Sequence, residues 1–242
     1  MSTMNIQSNR AANQEADSGK MQAEAAQYAL LRRLAPVIRH NMAGSLQPIA
    51  MVAGMLERRL QKSDTDPEAL IKNAHDIIEL SKEAAASCSS LMGWFAPKDD
   101  PLVAVNKGVA ECLAMLATEL SFRGFSIINK TSETEGELPL SALRNVFTAA
   151  VIALTDAAVA PHEVVVEAEL SEGGISIRIS LKNAQAQASL AAGKPYRRIE
   201  WHDVEALAGS FARLVHTGDG VVLAFQSSAE NSRQDLSMAG QV

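Results

Sequence analysis

The sequence is poor in the residues that build stapled, metal-bound or aromatic-cored proteins. It has two cysteines, Cys88 and Cys112, in 242 residues, too few for a disulfide framework or a cysteine metal cluster. Both fall in apolar helical runs and read as small buried residues. Aromatics make up 4% of the chain, so Ala, Leu, Val and Ile must fill the core, a composition that favours helices. Lys and Arg number 22 against 28 Asp and Glu, a formal net charge of −6. There is no basic block, which argues against a nucleic-acid partner, because phosphate neutralisation needs a basic surface. No apolar run reaches the ~18 residues that span a bilayer. The N-terminus is polar and lacks the apolar core of a signal peptide, so the expectation is a cytoplasmic protein without a membrane segment. His75, His162, His202 and His216 form no His-x-x-x-His spacing, and no Gly-x-Ser-x-Gly elbow or phosphate-binding loop is present.

What is present is ample apolar content, 47% of residues, laid out in two styles. Residues 1–20 are rich in Ser, Asn, Gln and Ala without periodicity and read as disordered. From 21 to 61 runs a long helical pattern with apolar positions at Leu31, Ala35, Ile38, Met42, Ile49, Val52, Leu56 and Leu60. Steps of three and four residues make one seam of a helix. His40 lies two residues from both Ile38 and Met42, so at 3.6 residues per turn it points roughly 200° away from each, toward water. An imidazole held clear of a packed helix can serve as a nucleophile, and a surface histidine without a role fits the same spacing. Gly44 weakens the helix, and Pro48 removes a donor opposite the Gly44 carbonyl. A mild bend there, or a helix that tolerates the proline, are equal expectations.

Asp66-Pro67-Glu68 starts a second helix, with Asp66 as N-cap, Pro67 at the first helical position and Glu68 complementing the dipole. Leu70, Ala74, Ile77, Ser81, Ala84, Cys88 and Leu91 keep a coiled-coil beat. Ile71, Ile78, Ala85 and Met92 widen this stripe beyond what one partner helix covers. The pattern predicts an antiparallel helical hairpin over 21–96 whose surplus apolar face pairs with a second copy, giving a homodimeric four-helix bundle.

Trp94 to Pro101, with two prolines and three charges, marks a domain boundary. Over 101–226 the pattern is mixed. Helices are expected at 107–123, closed by Gly124, at 141–159 and at 201–214. Strands are expected at 125–128, 163–170, 175–181 and 221–225, with a small-residue loop at 183–194 and a frayed tail at 227–242. The class is α+β: a helical hairpin followed by an α/β sandwich with helices on one face of a mixed sheet.

Several residues carry a likeness to a known family. Arg39-His40-Asn41 with Leu46 six residues after the histidine, then Leu143-Arg144-Asn145-Val146-Phe147 leading to Asp156-Ala157-Ala158, then Gly218-Asp219-Gly220-Val221-Val222-Leu223, occur in the order found in histidine kinase cores. The chain over about 21–225 resembles such a core: a dimerisation hairpin bearing the phosphorylated histidine, then a Bergerat-type ATP-binding sandwich. The departures are more specific. Asn41 stands where an acidic residue usually follows the histidine, and an amide is no carboxylate base. The two asparagine places of the nucleotide-binding helix fall on Ala149 and Ala153. The Asp-x-Gly-x-Gly loop is replaced by Asn183-Ala184-Gln185-Ala186-Gln187, and Gly193 stands alone where a glycine-rich lid would follow. Alanine offers no oxygen to a metal, so the sandwich is expected to be degenerate and to bind no ATP.

A kinase shape that keeps its histidine without an ATP site resembles the dimeric phosphotransferases of phosphorelays. That resemblance implies that His40 accepts a phosphoryl group from a receiver-domain aspartate and passes it to another. It implies that Arg39 and Asn41 flank the reacting imidazole, and that the receiver supplies the magnesium, so no cofactor or metal is expected on this chain. The implied partners are response-regulator receivers, a second copy and a histidine kinase. Kinases with phosphatase activity often carry Thr or Asn four residues after the histidine; Gly44 here implies weak dephosphorylation. The competing reading is a non-catalytic pseudokinase, a scaffold or inhibitor bound to a kinase or response regulator.

Overall fold

The computed structural model describes residues 2–61, 66–95, 99–159, 161–171, 173–184, 197–209 and 211–226. The linker 96–98, most of the expected small-residue loop (185–196) and the tail 227–242 lie outside the described residues. The chain divides into two compact units, Leu34–Asp99 and a second comprising Met1–Arg33 with Asp100–Val242.

The first helix, α1 (Ser2–Leu60), carries Pro36 and Pro48 in its interior. It therefore includes most of the stretch 1–20 that its composition marked as disordered. Apolar periodicity reports which face is buried, not whether the backbone is helical; the Ala, Gln, Glu and Lys of this stretch are good helix formers.

In the unit Leu34–Asp99, α1 meets α2 (Pro67–Phe95), whose Glu68 N–H donates to the Asp66 carboxylate at 3.0 Å, the expected cap. Ser45 Oγ lies 3.2 Å from Ser87 Oγ, and the Arg59 guanidinium donates to Asn73 Oδ1 at 3.3 Å. Fourteen residues separate Ser45 from Arg59 and fourteen separate Asn73 from Ser87, in opposite directions along the two helices. The pair is therefore antiparallel in one register. Ile38, Ala84 and Leu91 are buried, and Met42, Ile49, Val52, Leu56 and Ile77 are half-buried, as the seam predicts, whereas its members Leu60, Ala74 and Ser81 are exposed; Trp94, read as part of the boundary, is buried as well. All four members of the widening stripe are exposed, Ala85 with the larger Ile71 (69%), Ile78 (51%) and Met92 (57%).

The second unit is a mixed sheet with helices. β1 (Leu102–Ala104) pairs antiparallel with β3 (Glu137–Pro139) as a two-stranded sheet. Between them come α3 (Val105–Phe122) and β2 (Phe125–Asn129). A π-helical turn, Ala142–Phe147, leads into α4 (Thr148–Ala157). Then follow β4 (His162–Ser171), β5 (Gly174–Asn183), α5 (Trp201–Ala208), β6 (Ala212–His216) and β7 (Gly220–Gln226). The five-stranded sheet has the order β2-β4-β5-β7-β6, with β2–β4 parallel and the other pairs antiparallel. In-register residues Val166, Ile179 and Val221 are all buried, as are Ile177 and Leu223. On the opposite face Glu163 pairs across strands with Lys182, and Glu167 with Arg178. This alternation is the two-residue period of a sheet with one packed face. Gly124, at φ 84°, follows α3 as expected of a C-terminal glycine.

The helix expected over 201–214 stops at Ala208. Gly209 adopts φ 49°, which ends it, and Ala212–His216 becomes an edge strand against β7. Phe211, Leu214 and Val215 satisfy helical spacing and strand composition alike, so the partner strand decides. The short strands β1 and β3, three residues each, were not foreseen, because three residues hold too little alternation to register.

Candidate functional site

His40 is exposed on α1, Arg39 beside it is exposed, and Asn41 is half-buried. Their placement follows from helix geometry. Ser45 faces α2, and His40 lies five positions earlier, about 140° around the helix. The imidazole thus points away from α2. The exposed neighbours on this side are Pro36, Ala43, Gly44 and Gln47, small or uncharged side chains that leave the ring accessible. A Cβ added at Gly44 would meet nothing within 4 Å, so the glycine is not required by packing. From Ala25 to Leu56 the helix contains no carboxylate, and Arg39 places an exposed cation beside His40. The Ser45 hydroxyl also lies 3.1 Å from the Asn41 carbonyl oxygen, one turn back.

Within the sandwich unit, Ala149 and Ala153 are buried on α4 and present only methyl groups. One turn beyond Ala153, Asp156 lines an open cleft of about 390 Å³ with Ala153, Ala157, Arg198, Ile199, Glu200, Trp201 and His202. Asp156 Oδ1 is held by Arg123 at 2.8 Å and by Arg33 at 3.3 Å; both arginines also pair with Glu119. This four-membered cluster ties α3, α4 and the N-terminal part of α1 together, and spacing in the sequence gives no hint of it. The residues at the cleft do not fit a magnesium–nucleotide complex. The two alanines supply no oxygen, and the one buried carboxylate has its Oδ1 held by two guanidinium groups, which leaves Oδ2 as a single unpaired oxygen, too few for a magnesium ion. Among the described residues no group of three His, Cys, Asp or Glu side chains is placed to hold a metal ion.

Other candidates are spoken for. Burial pushes the Cys112 thiol up to about 12 despite its bond with Thr148, so it is no nucleophile. His162 stacks on Phe125, and His216 meets the Trp201 ring edge-on at 4.6 Å. The π-helical turn falls on Leu143-Arg144-Asn145, the stretch that carries part of the family likeness, and Arg144 there pairs with Glu111 at 2.6 Å. No helix among the described residues is long and apolar enough to cross a membrane.

No protein-family model matches the chain, and no curated protein matches its sequence. Among solved structures it is similar to the Acinetobacter baumannii histidine kinase AdeS, at 12% identity and a TM-score of 0.43, over 77% of this chain and 98% of that one. It is similar to a bacterial phosphotransferase at 15% identity and a TM-score of 0.34, over 80% and 94% of the two chains. It is similar to the histidine kinase ThkA in complex with the response regulator protein TrrA, at 13% identity and a TM-score of 0.37, over 84% and 66%. All three scores lie below 0.5, so the functional reading rests on this chain's own residues.

Proposed function

We propose that the chain is a histidine phosphotransferase that relays a phosphoryl group between receiver-domain aspartates through His40. The observation that carries the proposal is the solvent-facing imidazole on the side of α1 turned away from α2. Neutral His40 attacks the phosphorus of an aspartyl phosphate on the receiver. A P–N bond forms as the P–O bond to the aspartyl carboxylate breaks, and the second ring nitrogen releases its proton to solvent. Return transfer to a different aspartate reverses these steps. Such transfer depends on positioning and charge stabilisation more than on covalent help from the protein. Arg39 steers the acidic receiver and faces the phosphoryl oxygens, Asn41 orients the turn beside the ring, and magnesium comes with the receiver.

The exposed row Ile71, Ile78 and Met92 supports a homodimeric four-helix bundle. With Ala85 between Ile78 and Met92 they keep a seven-residue spacing, the pattern that a second hairpin covers. Ala149 and Ala153 support a degenerate Bergerat-type sandwich that does not feed ATP to His40. The same apolar row favours a second reading, a pseudokinase scaffold that binds a histidine kinase or receiver without chemistry. Mixing the chain with phosphorylated receivers separates the two. Acid-labile label on the wild-type chain, absent from His40→Gln, is expected. Receiver binding by both chains with no label on either leaves the scaffold, and labelling by ATP alone sinks the view of the sandwich.

A further inference from the structure

We infer that Ser45 is a positioning residue for the turn that carries His40, acting through a hydroxyl pair with Ser87; the inference rests on the phosphotransfer reading. The turn needs such a device. Pro48 has no N–H, so the Gly44 carbonyl lacks its intrahelical donor, and Gly44 itself is the costliest ordinary residue to hold in a helix. The backbone just beyond His40 is therefore a weakly restrained part of α1. Ser45 sits inside it. Its Oγ lies 3.1 Å from the carbonyl oxygen of Asn41 and 3.2 Å from Ser87 Oγ on α2. Each hydroxyl both donates and accepts, so Ser87 can donate to Ser45 while Ser45 donates to the Asn41 carbonyl, adding a second bond to the helical one and linking the helices at once. The links of Arg59 with Asn73 and with the Ala69 carbonyl lie at the far, loop end of the hairpin. Ser45–Ser87 therefore fixes α1 to α2 at the height of the phosphoacceptor turn, while its partner Asn41 directly follows His40. An incoming aspartyl phosphate meets a ring whose supporting turn is held from behind, which is what in-line attack requires.

The test compares Ser45→Ala, Ser87→Ala, the double variant and Ser45→Thr. At saturating phosphorylated receiver, each alanine variant should slow transfer about three- to tenfold, as a loss of alignment does. The double variant should be no slower than the singles, and Ser45→Thr, which keeps the hydroxyl, should retain the rate. Half-saturating receiver concentration and labelling of His40 by phosphoramidate, a small donor that needs no docking, should stay within about twofold. Full-rate transfer by Ser45→Ala overturns the inference. So do losses that multiply in the double variant, or phosphoramidate labelling that falls in step. If the wild-type chain accepts no phosphoryl group from any receiver, the phosphotransfer reading fails. Hydrogen exchange at amides 42–46 then decides the clamp alone, with faster exchange in Ser45→Ala and Ser87→Ala expected and unchanged exchange overturning it.

Discussion

Arg33 and Asp156, 123 residues apart in the sequence, meet at 3.3 Å beneath the surface of the sandwich unit, their side chains only 12% and 5% exposed. Arg123 binds the same carboxylate oxygen at 2.8 Å, and Glu119 balances the two cations. Such a cluster costs desolvation to assemble, but removing one member strands the rest.

Asp156→Ala should therefore cost about 3 kcal/mol or more, read by urea denaturation, because two buried guanidinium groups would keep Glu119 as their one carboxylate partner, with Arg123 still donating to the Thr155 carbonyl. Arg33→Met should cost less, since Arg123 still holds Asp156 Oδ1 at 2.8 Å. Equal stability of wild type and Asp156→Ala would mean that the cluster is solvated and structurally idle.

The N-terminus of α5 makes a prediction about pH. Asp203 is buried; its carboxylate accepts the Glu200 N–H at 3.0 Å and two bonds from Arg197 at 2.7 and 2.9 Å, and Glu200 returns the capping-box contact. Burial pushes its pKa up, but the bonds from Arg197 and Glu200 and the Arg197 charge outweigh burial, so it lies below the ordinary value. A folded-state pKa below the unfolded one adds stability above the unfolded value, about 3.9, which is lost as pH falls through the folded value. Asp203→Asn should thus be less stable than wild type at pH 7 by about 1–2 kcal/mol. The gap should begin to narrow as pH falls below the unfolded-state value, about 3.9, and close as it passes through the lower folded-state value, where Asp203 takes up its proton. Thermal melts of both chains across pH 3–8 test this.

Two glycines should respond oppositely to alanine. Gly44→Ala adds a methyl group to open space in a helix and should stabilise by about 0.5–1 kcal/mol. Gly220→Ala places a Cβ against the Ile179 carbonyl oxygen in the adjacent strand and should cost about 2–3 kcal/mol, because backbone cannot step aside. Denaturant midpoints distinguish the two signs.

The exposed row on α2 gives the test of assembly. Ile78→Glu puts a charge at the centre of the face proposed to pair with a second copy. It should shift sedimentation-equilibrium mass toward monomer while circular dichroism stays unchanged. A wild-type chain that is monomeric at all concentrations removes the bundle from the proposal.

The sequence by itself determined the helical hairpin, its seam and the outward direction of His40, because these follow from spacing along one or two continuous helices. It also determined the alternating core of β5, where polar and apolar residues trade places at every step, and the apolar runs Val164 to Val166 of β4 and Val221 to Phe225 of β7 beside it. The three-residue strands β1 and β3, the conversion of Ala212–His216 to an edge strand, the Ser45–Ser87 pair and the Arg33–Glu119–Arg123–Asp156 cluster were decided by tertiary structure alone. In each, the stabilising partner is remote in the chain: β7 lends β6 its hydrogen bonds, and α4 and α3 lend Arg33 its carboxylates. Periodicity records only which face of an element turns inward, and leaves to the fold which other side chain waits there.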